Sequence, residues 1–261
     1  MITEMHFQGV RDDGDALEKL LSLERPFIAS LVPIFMDKSL KNNGKNVLER
    51  VYSEEQYYPP WFVGALRKIG KNPNIIWAQE GMFHYCEPCF EEFEKNGGRK
   101  NNSAPDPFHE HLCVSNWKGQ NLEEQLKSIK EGKTLISDLT GIVPRVYCPP
   151  NHLHNKETLL AARNLGFKYF NVRNFMNLQA YNEDGLTILP EAKIGEMHNE
   201  TSPVIYTYYG NLIDDFESHS EMLDKSEKGF KIREKPEFKA AVNQVAVQGY
   251  KKLRDWKKRF G

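Results

Sequence analysis

The sequence predicts an α/β protein. Short apolar segments alternate with longer amphipathic ones along the 261 residues, which is the pattern of strands and helices in turn. Seven of the apolar segments have the length and composition of strands. Strands separated by helices run parallel, and right-handed crossovers then give either an open doubly wound sheet or a closed barrel. The alternation alone leaves both architectures open.

The predicted elements follow one another along the whole chain. The strands are His6–Val10, Phe27–Pro33, Ile75–Ala78, Arg145–Cys148, Lys168–Val172, Leu186–Leu189 and Val204–Tyr208. The helices are Asp15–Ser22, Glu54–Ile69, Leu122–Leu139, Lys156–Leu165 and Pro236–Phe260. In the fourth helix, Asn155 can cap the first turn and Gly166 can end the last one. We expect a single domain over residues 1–261, with a C-terminal helix over about 236–260.

The stretch from about Tyr85 to Lys118 has neither a strand nor a helix pattern, and we expect a long loop inserted in the domain. It carries a Cys-x-x-Cys pair and, after a gap of 19 residues, a cluster of histidines and a cysteine. Such a set could close a tetrahedral structural zinc site, with free thiols and surface histidines as the alternative. His109 or His111 could instead reach the active site as a substrate contact or a proton donor. The candidate zinc ligands are Cys86, Cys89, His109 and Cys113.

Composition excludes several classes of protein. The 35 basic and 36 acidic residues give a net charge of −1, which provides no general attraction for nucleic acid. The longest apolar runs, such as Phe27–Met36, reach about half of the roughly 20 residues that a membrane-spanning helix needs. The N-terminus resembles no secretory signal, and four cysteines are too few for a disulfide scaffold. We therefore expect a cytoplasmic enzyme with no nucleic-acid partner and no membrane span, and composition does not predict its oligomeric state.

Three segments at the ends of predicted strands carry candidate chemistry. Arg11-Asp12-Asp13-Gly14-Asp15 follows the first strand, and its adjacent carboxylates repel each other unless a cation or a shared proton intervenes. Glu80 and His84 follow the third strand at a spacing that suits Zn²⁺ or a similar ion. Cys148-Pro149-Pro150-Asn151 follows the fourth, where a stiff backbone can direct an amide N–H toward an oxyanion. Each segment also has an ordinary structural interpretation as a turn, a cap or a strand end.

These segments, in this order and spacing, resemble the motifs of the polysaccharide deacetylase family of metal-dependent sugar N-deacetylases. That family has an Asp-Asp-Gly motif, then a His-x-x-x-His motif, then an Arg-Pro-Pro-Tyr-Gly-like motif followed by a helix. Here the matching segments are Asp12-Asp13-Gly14, Glu80–His84, Cys148–Asn151 and the helical segment Asn155–Phe167. The resemblance covers about residues 7–214. It implies a distorted (β/α)7-type barrel, in agreement with the seven predicted strands.

The resemblance also implies a reaction, the hydrolysis of an N-acetyl, or less readily an O-acetyl, group on a saccharide or sugar derivative. Asp12 would be the general base. A divalent metal, most simply zinc, would polarise the acyl carbonyl and bind the attacking water. Its ligands would be Asp13, Glu80 and His84. The substrate site would be formed by Arg11, Pro150, Asn151 and His152, with the backbone amide of Asn151 near the oxyanion.

Three departures from the family pattern affect this assignment. Glu80 stands where histidine is usual, so the site would also suit divalent metals other than zinc. Cys148 replaces the arginine that normally steadies the catalytic aspartate. The late histidine that serves as general acid is missing from Val204–Tyr208, so either His198 or Tyr208 would have to donate the proton.

Two other functions remain open. Related barrels include glycoside hydrolases that use paired carboxylates, and Asp12 or Asp13 could form such a pair with Glu80. A catalytically lapsed barrel could instead bind a glycan or a protein partner through aromatic residues at its rim. The aromatic candidates are Tyr57, Tyr58, Trp61, Tyr208 and Tyr209. A set of Asp, Glu and His converges more naturally on a metal, which favours the hydrolase.

Overall fold

In the computed structural model of the protein, the described residues include thirteen named strands and three named helices. The strands are β1 (Ile2–Phe7), β2 (Phe27–Leu31), β3 (Ile34–Asp37), β4 (Lys41–Asn42), β5 (Lys45–Asn46), β6 (Glu49–Tyr52), β7 (Ile75–Glu80), β8 (Val146–Cys148), β9 (Tyr169–Arg173), β10 (Ala180–Glu183), β11 (Leu186–Lys193), β12 (Val204–Tyr208) and β13 (Ile232–Arg233). The helices are α1 (Glu87–Lys95), α2 (Leu122–Thr140) and α3 (Lys156–Asn164). The structure describes residues 2–7, 27–37, 41–42, 45–46, 49–52, 64, 66–68, 70–97, 107–114, 116, 118–173, 179–193, 204–208 and 232–233.

Seven parallel strands close into a barrel. The order of pairing is β1, β2, β7, β8, β9, β11 and β12, and β12 pairs again with β1. The fold is therefore a distorted α/β barrel, and the closed form is the correct one of the two that the sequence left open. β10 adds to this sheet as an antiparallel neighbour of β11, while β3–β6 and β4–β5 form two small separate ribbons.

All seven predicted strands are strands of the barrel, although their limits differ. The largest shift is in β1, which covers Ile2–Phe7 rather than His6–Val10. Its position is fixed by its two neighbours, because Ile2 is in register with Val204 and Thr3 with Phe27. A pairing of segments about 200 residues apart cannot be read from local apolar content.

Two of the predicted helices are confirmed. α2 begins after Asn121, whose side chain accepts from Glu124 N–H in a reciprocal capping box, and it ends at Gly141 with a φ of 75°. α3 begins after the predicted cap Asn155. Within the predicted helix 54–69, residues 64 and 66–68 are helical and the others are not among the described residues. The predicted helices 15–22 and 236–260 also lie outside the described part of the chain.

The prediction of a loop throughout residues 85–118 is wrong in part, because it contains α1. The sequence obscures this helix with Pro88, but a proline in the first turn replaces an N–H that has no helical partner anyway. The apolar face of α1 contains Cys89, Phe90 and Phe93. Beyond α1, Leu112 forms an isolated antiparallel bridge with Gly119.

The strand register separates two apolar cores. Alternate residues of the barrel strands form one cluster that contains Ile28, Ala78, Val146, Leu189 and Val204. The residues between them face α2 and α3 in a second cluster with Tyr147, Phe170, Ile188, Ile129 and Ala161. Barrels of this type are filled by side chains on the inside and covered by helices on the outside. No helix in the described ranges is long and apolar enough to cross a membrane.

Candidate active site and cysteine cluster

The inner face of the barrel becomes polar toward the C-terminal ends of its strands. Each of the polar residues lies two positions beyond a residue of the inner apolar cluster on the same strand, so its side chain points to the same side of the sheet. The C-terminal end of a (β/α) barrel is where such folds carry their active sites. The buried polar residues at this end are Ser30, Glu80, Cys148, Asn171 and Glu191.

Glu80 and His84 form a pair at the end of β7. Glu80 is the last residue of the strand and is buried, while the His84 side chain is 12% exposed. His84 Nε2 lies 3.0 Å from Glu80 Oε1. Two ligands of one tetrahedral zinc ion, each about 2.05 Å from the metal, would be about 3.3 Å apart. The predicted spacing therefore brings two donor atoms to a separation that suits a shared divalent cation.

The loop that carries His84 is held by Glu110, a residue of the insertion. Glu110 Oε2 accepts hydrogen bonds from the backbone N–H groups of Met82, Phe83 and His84, at 2.7, 2.9 and 3.2 Å. The hydroxyl of Ser128 on α2 donates to Glu110 Oε1 at 2.8 Å. A buried carboxylate that receives several N–H groups is well compensated for the loss of water. Glu110 thus fixes the loop that presents His84.

Gly81 allows the loop and Glu110 to meet. Its φ is 59°, and a Cβ atom at this position would lie 2.3 Å from Pro150 Cγ and 2.4 Å from Glu110 Oε2. Only glycine fits such a close approach. Glu110 cannot be singled out from the sequence. A single glutamate between two histidines has no pattern that distinguishes a buried carboxylate from an exposed one.

A second polar cluster contains Cys148, His152 and Glu191, with one potential ligand atom of each within 4.8 Å of the others. His152 Nδ1 is 3.0 Å from Glu191 Oε1, and Asn171 Nδ2 donates to Glu191 Oε2 at 2.7 Å. Cys148, the residue at the position of the motif arginine, is therefore accompanied by an imidazole and a carboxylate. Glu191 was not a predicted site residue. Glu191 lies two residues beyond the predicted strand Leu186–Leu189, and it belongs to β11 because the strand continues to Lys193.

The backbone after β8 is unusual at the predicted oxyanion position. Asn151 and His152 both have left-handed conformations, with φ of 53° and 57°. His152 N–H donates to Pro149 O at 2.8 Å, which closes a tight turn beyond the two prolines. Left-handed conformations at residues other than glycine cost about 1–3 kcal/mol each and cluster at functional sites. Since His84 also has a positive φ of 50°, three such residues lie close to the barrel end.

The candidate zinc ligands of the insertion also lie together. The Sγ atoms of Cys86, Cys89 and Cys113 are within 4.8 Å of one another, and none of the four cysteines, all of which are described, forms a disulfide bond. Cys89 Sγ is 3.5 Å from Cys113 Sγ and 3.1 Å from His109 Nε2. The hydrogen bond with Cys89, together with burial, raises the pKa of the Cys86 thiol. In the absence of a cation this thiol therefore stays protonated.

The expectation of surface histidines in the insertion is wrong. His109 and His111 are both fully buried. His111 Nδ1 faces Gln120 Oε1 at 3.2 Å, and its Nε2 contacts the hydroxyl of Tyr147. Burial lowers the pKa of His111 and raises that of Tyr147, so both groups are neutral at pH 7. His111 thus connects the insertion to β8.

Several predicted site residues cannot be located. Arg11, Asp12, Asp13 and His198 lie outside the described residues, as do Tyr57, Tyr58, Trp61 and Tyr209. Tyr208 is the last residue of β12 and is in register with His6 of β1. The structure therefore describes two of the three predicted metal ligands and three of the four predicted substrate residues.

No protein-family model and no curated protein match the chain. Solved structures do match. The 4-α-glucanotransferase of Thermococcus litoralis is 11% identical, with a TM-score of 0.50 over 90% of this chain and 39% of its own. A family 4 carbohydrate esterase from Bacillus anthracis is 11% identical, with a TM-score of 0.46 over 89% of this chain and 78% of its own. A family 4 acetyl xylan esterase from Clostridium thermocellum, in complex with a cobalt ion, is 8% identical, with a TM-score of 0.41 over 95% and 91%.

Further similar structures include a polysaccharide deacetylase from Mycobacterium smegmatis and a peptidoglycan deacetylase from Bacillus subtilis. The family that the sequence motifs resemble is therefore well represented among these structures. The chain spans 39% of the length of the 4-α-glucanotransferase, and less than two thirds of two further matching structures. At these identities the similarity concerns the fold, and the chemistry has to be argued from the residues of this chain.

Proposed function

We propose that the protein is a metal-dependent hydrolase that removes an acetyl group from a saccharide or sugar derivative. The observation that carries the proposal is the Glu80–His84 pair, with donor atoms 3.0 Å apart at the C-terminal end of a barrel strand. β7, which ends in Glu80, is separated from β1 by β2 alone, and the chain beyond β1 leads to Asp12 and Asp13. Neighbouring strand ends of a parallel barrel converge on one site.

The metal would be held by Glu80, His84 and Asp13. Zinc is the expected ion, although two carboxylates and one imidazole would also accept other divalent metals. When bound, such an ion supplies Lewis-acid polarisation of the acyl oxygen and acidifies a water molecule. Asp12 would accept the proton of the attacking water. Glu110 would contribute indirectly, because its three backbone hydrogen bonds fix the loop that presents His84.

His152 is our candidate for the general acid that the sequence left unassigned. Its Nδ1 faces the buried carboxylate of Glu191 at 3.0 Å, and Glu191 is itself oriented by Asn171. A carboxylate beside one ring nitrogen favours the protonated imidazole, and the second nitrogen can then pass a proton to a leaving amine. His198 lies outside the described residues, and of Tyr208 only the backbone is described, so the case for His152 rests on its own contacts. The same partner suits His152 better for proton transfer than for simple substrate contact.

The first test combines metal analysis with acetate release from a panel of N- and O-acetylated sugars. We expect the wild-type protein to release acetate and the His84→Ala and Asp13→Ala variants to lose both activity and the metal of this site. Glu131→Gln, an exposed glutamate on α2, is the matched control and should behave as wild type. A wild-type protein that binds no metal through His84 and Asp13, even after dialysis against divalent ions, would contradict the proposal. The lapsed barrel, which the replacement of the motif arginine by Cys148 supports, would then be the better interpretation.

A leaving-group comparison tests His152 directly. An amine must be protonated to leave, whereas the nitrophenolate of an aryl acetate departs without a proton. We therefore expect His152→Gln to lose at least about 100-fold in kcat on an N-acetylated sugar, the scale typical of general acid catalysis, and to retain activity on the aryl ester. An equal loss on both substrates would show that His152 acts on the structure of the site and not as the acid.

A further inference from the structure

We propose that Cys86, Cys89, Cys113 and His109 bind a structural zinc ion that ties the insertion to the barrel. This site shares no residue with the Glu80–His84 pair and does not depend on the proposed reaction. The three cysteines and the histidine are at most 8% exposed, and the sulfur atoms lie within 4.8 Å of one another. Three cysteines and one histidine are an established ligand set for closed, four-coordinate zinc.

The distances within the cluster agree with a shared ion. Two sulfur atoms that are each about 2.3 Å from a tetrahedral zinc ion are about 3.8 Å apart. Cys89 and Cys113 have a separation of 3.5 Å, well beyond the roughly 2.05 Å of a disulfide. His109 Nε2 lies 3.1 Å from Cys89 Sγ, and the sulfur atoms of the three cysteines lie within 4.8 Å of one another. The three thiols are therefore placed for a shared ion, with the imidazole beside one of them.

The local backbone explains why these side chains meet. Cys86 is the N-cap of α1 and Cys89 lies in its first turn, so both sulfurs are at the positive end of the helix dipole, which favours thiolates. Cys86 N–H donates to Pro107 O at 2.8 Å, which brings the second half of the insertion alongside. Cys113 N–H donates to Lys118 O at 2.9 Å in a turn that presents its sulfur. A zinc ion would cross-link two segments that these few hydrogen bonds already align.

The position of the ion suggests what it does. Glu110 and His111 lie between the ligands His109 and Cys113 in the sequence, and both reach the barrel. Glu110 binds the backbone of the loop that carries His84, and His111 contacts Tyr147 of β8. The described part of the insertion has one nine-residue helix and a small buried cluster of Cys86, Cys89 and Cys113, and a metal is a common supplement to so small a core. The zinc ion would thus hold the residues that brace the barrel end.

Cobalt substitution of the full-length, reduced protein tests this inference. Thiolate ligands give near-ultraviolet charge-transfer bands to Co²⁺, and tetrahedral coordination gives intense visible bands. We expect wild-type protein to show both, with one equivalent of metal lost in Cys89→Ser and in Cys113→Ser. Cys148→Ser changes a buried cysteine outside the four and is the matched control, which should keep the thiolate bands. His84→Ala should also keep them, since it affects only the other site.

Three results would overturn the inference. Wild-type protein could lack thiolate–cobalt bands, Cys89→Ser could keep them unchanged, or a Cys89–Cys113 disulfide could be found in protein purified and alkylated without oxygen.

If Cys89→Ser fails to fold, His109→Cys provides a second variant, which should still bind one equivalent through four sulfurs. Metal that is lost in His84→Ala alone would contradict the structural site and leave the proposed hydrolase standing. Metal that is lost only in the cysteine variants would support the structural site and contradict the proposed hydrolase.

Discussion

At the scale of single residues, Glu110 braces the loop that carries His84. Three backbone N–H groups and one hydroxyl depend on this buried carboxylate. We expect Glu110→Ala to lower the free energy of unfolding by about 3 kcal/mol, because buried donors lose their acceptor. Glu110→Gln keeps one acceptor oxygen and should lose about 1 kcal/mol. Urea denaturation monitored by circular dichroism measures both changes.

The control for this comparison is Glu131→Ala, which removes an exposed glutamate and should change stability by less than about 0.5 kcal/mol. Equal stabilities for Glu110→Ala and Glu131→Ala would show that water replaces the carboxylate without loss. The Glu110 variants should also bind metal at the Glu80–His84 site more weakly, since the loop that presents His84 loses its brace.

The sequence identifies site residues that form a pattern and misses those that act alone. Glu80 and His84 stand four residues apart at a strand end, and Cys86 and Cys89 form a recognisable pair, so all four could be proposed. Their meeting with Cys113 and His109 depends on how the insertion folds, which no local spacing determines. Glu110, Asn171 and Glu191 are single polar residues whose importance comes from burial, and burial follows from the barrel and not from their neighbours in sequence.

At the scale of elements, the two capped helices allow a direct comparison. Asn121 Oδ1 accepts a hydrogen bond from Glu124 N–H at 3.0 Å, and the residue is exposed. Asn155 Oδ1 accepts from Thr158 N–H at 3.0 Å, from the Thr158 hydroxyl at 2.8 Å and from Gln125 Nε2 of α2 at 3.0 Å. We expect Asn121→Ala to cost about 1 kcal/mol and Asn155→Ala about 2 kcal/mol.

Serine variants separate the cap from the contact between helices. Serine is a good N-cap, so Asn121→Ser should be close to wild type. Asn155→Ser restores the cap but not the hydrogen bond with Gln125, and its stability should lie between those of wild type and Asn155→Ala. Thermal unfolding followed by calorimetry distinguishes these cases. If Asn155→Ser equals wild type, the link between α2 and α3 contributes nothing.

At the level of elements, strands with several apolar residues can be predicted from the sequence, whereas strands of two residues cannot. The seven barrel strands have three to eight residues and each contains several apolar side chains, whereas β4, β5 and β13 each have two residues and no apolar run. β10 belongs to a hairpin with β11, and its turn contains Asp184 and Gly185, both with positive φ, which is a recognisable hairpin signal. α1 was missed because its first turn contains a proline, which reads as a helix breaker when its position in the helix is unknown.

At the scale of the whole molecule, the number of strands could be predicted but the closure of the barrel could not. Closure requires β12 to pair with both β1 and β11, so that Val204 is in register with Ile2 on one side and Glu191 on the other. The contact between Val204 and Ile2 joins segments about 200 residues apart in the sequence. Their formation depends on the twist and tilt that all seven strands accumulate, a property of the complete sheet.

The buried tyrosines make the stability of the whole protein sensitive to alkaline pH. Burial, and to a smaller extent Glu183, raises the pKa of Tyr181, and burial raises that of Tyr147. The unfolded chain has tyrosine pKa values of about 10. Below that pH the folded and unfolded forms both hold the protons. Above it the unfolded chain holds fewer protons than the folded protein, so the free energy of unfolding falls as pH rises.

We expect a Tyr181→Phe variant to lose part of this dependence. The difference in unfolding free energy between wild type and variant should be constant from pH 7 to about 9.5 and then change in favour of the variant, by up to about 1.4 kcal/mol per pH unit. Urea titrations at a series of pH values measure both curves, and contributions from thiols and lysines cancel in the difference. Tyr147→Phe should show the same trend from a lower starting stability, because it also removes the contact with His111. Parallel curves for wild type and Tyr181→Phe above pH 10 would mean that Tyr181 ionises in the folded barrel as readily as in water.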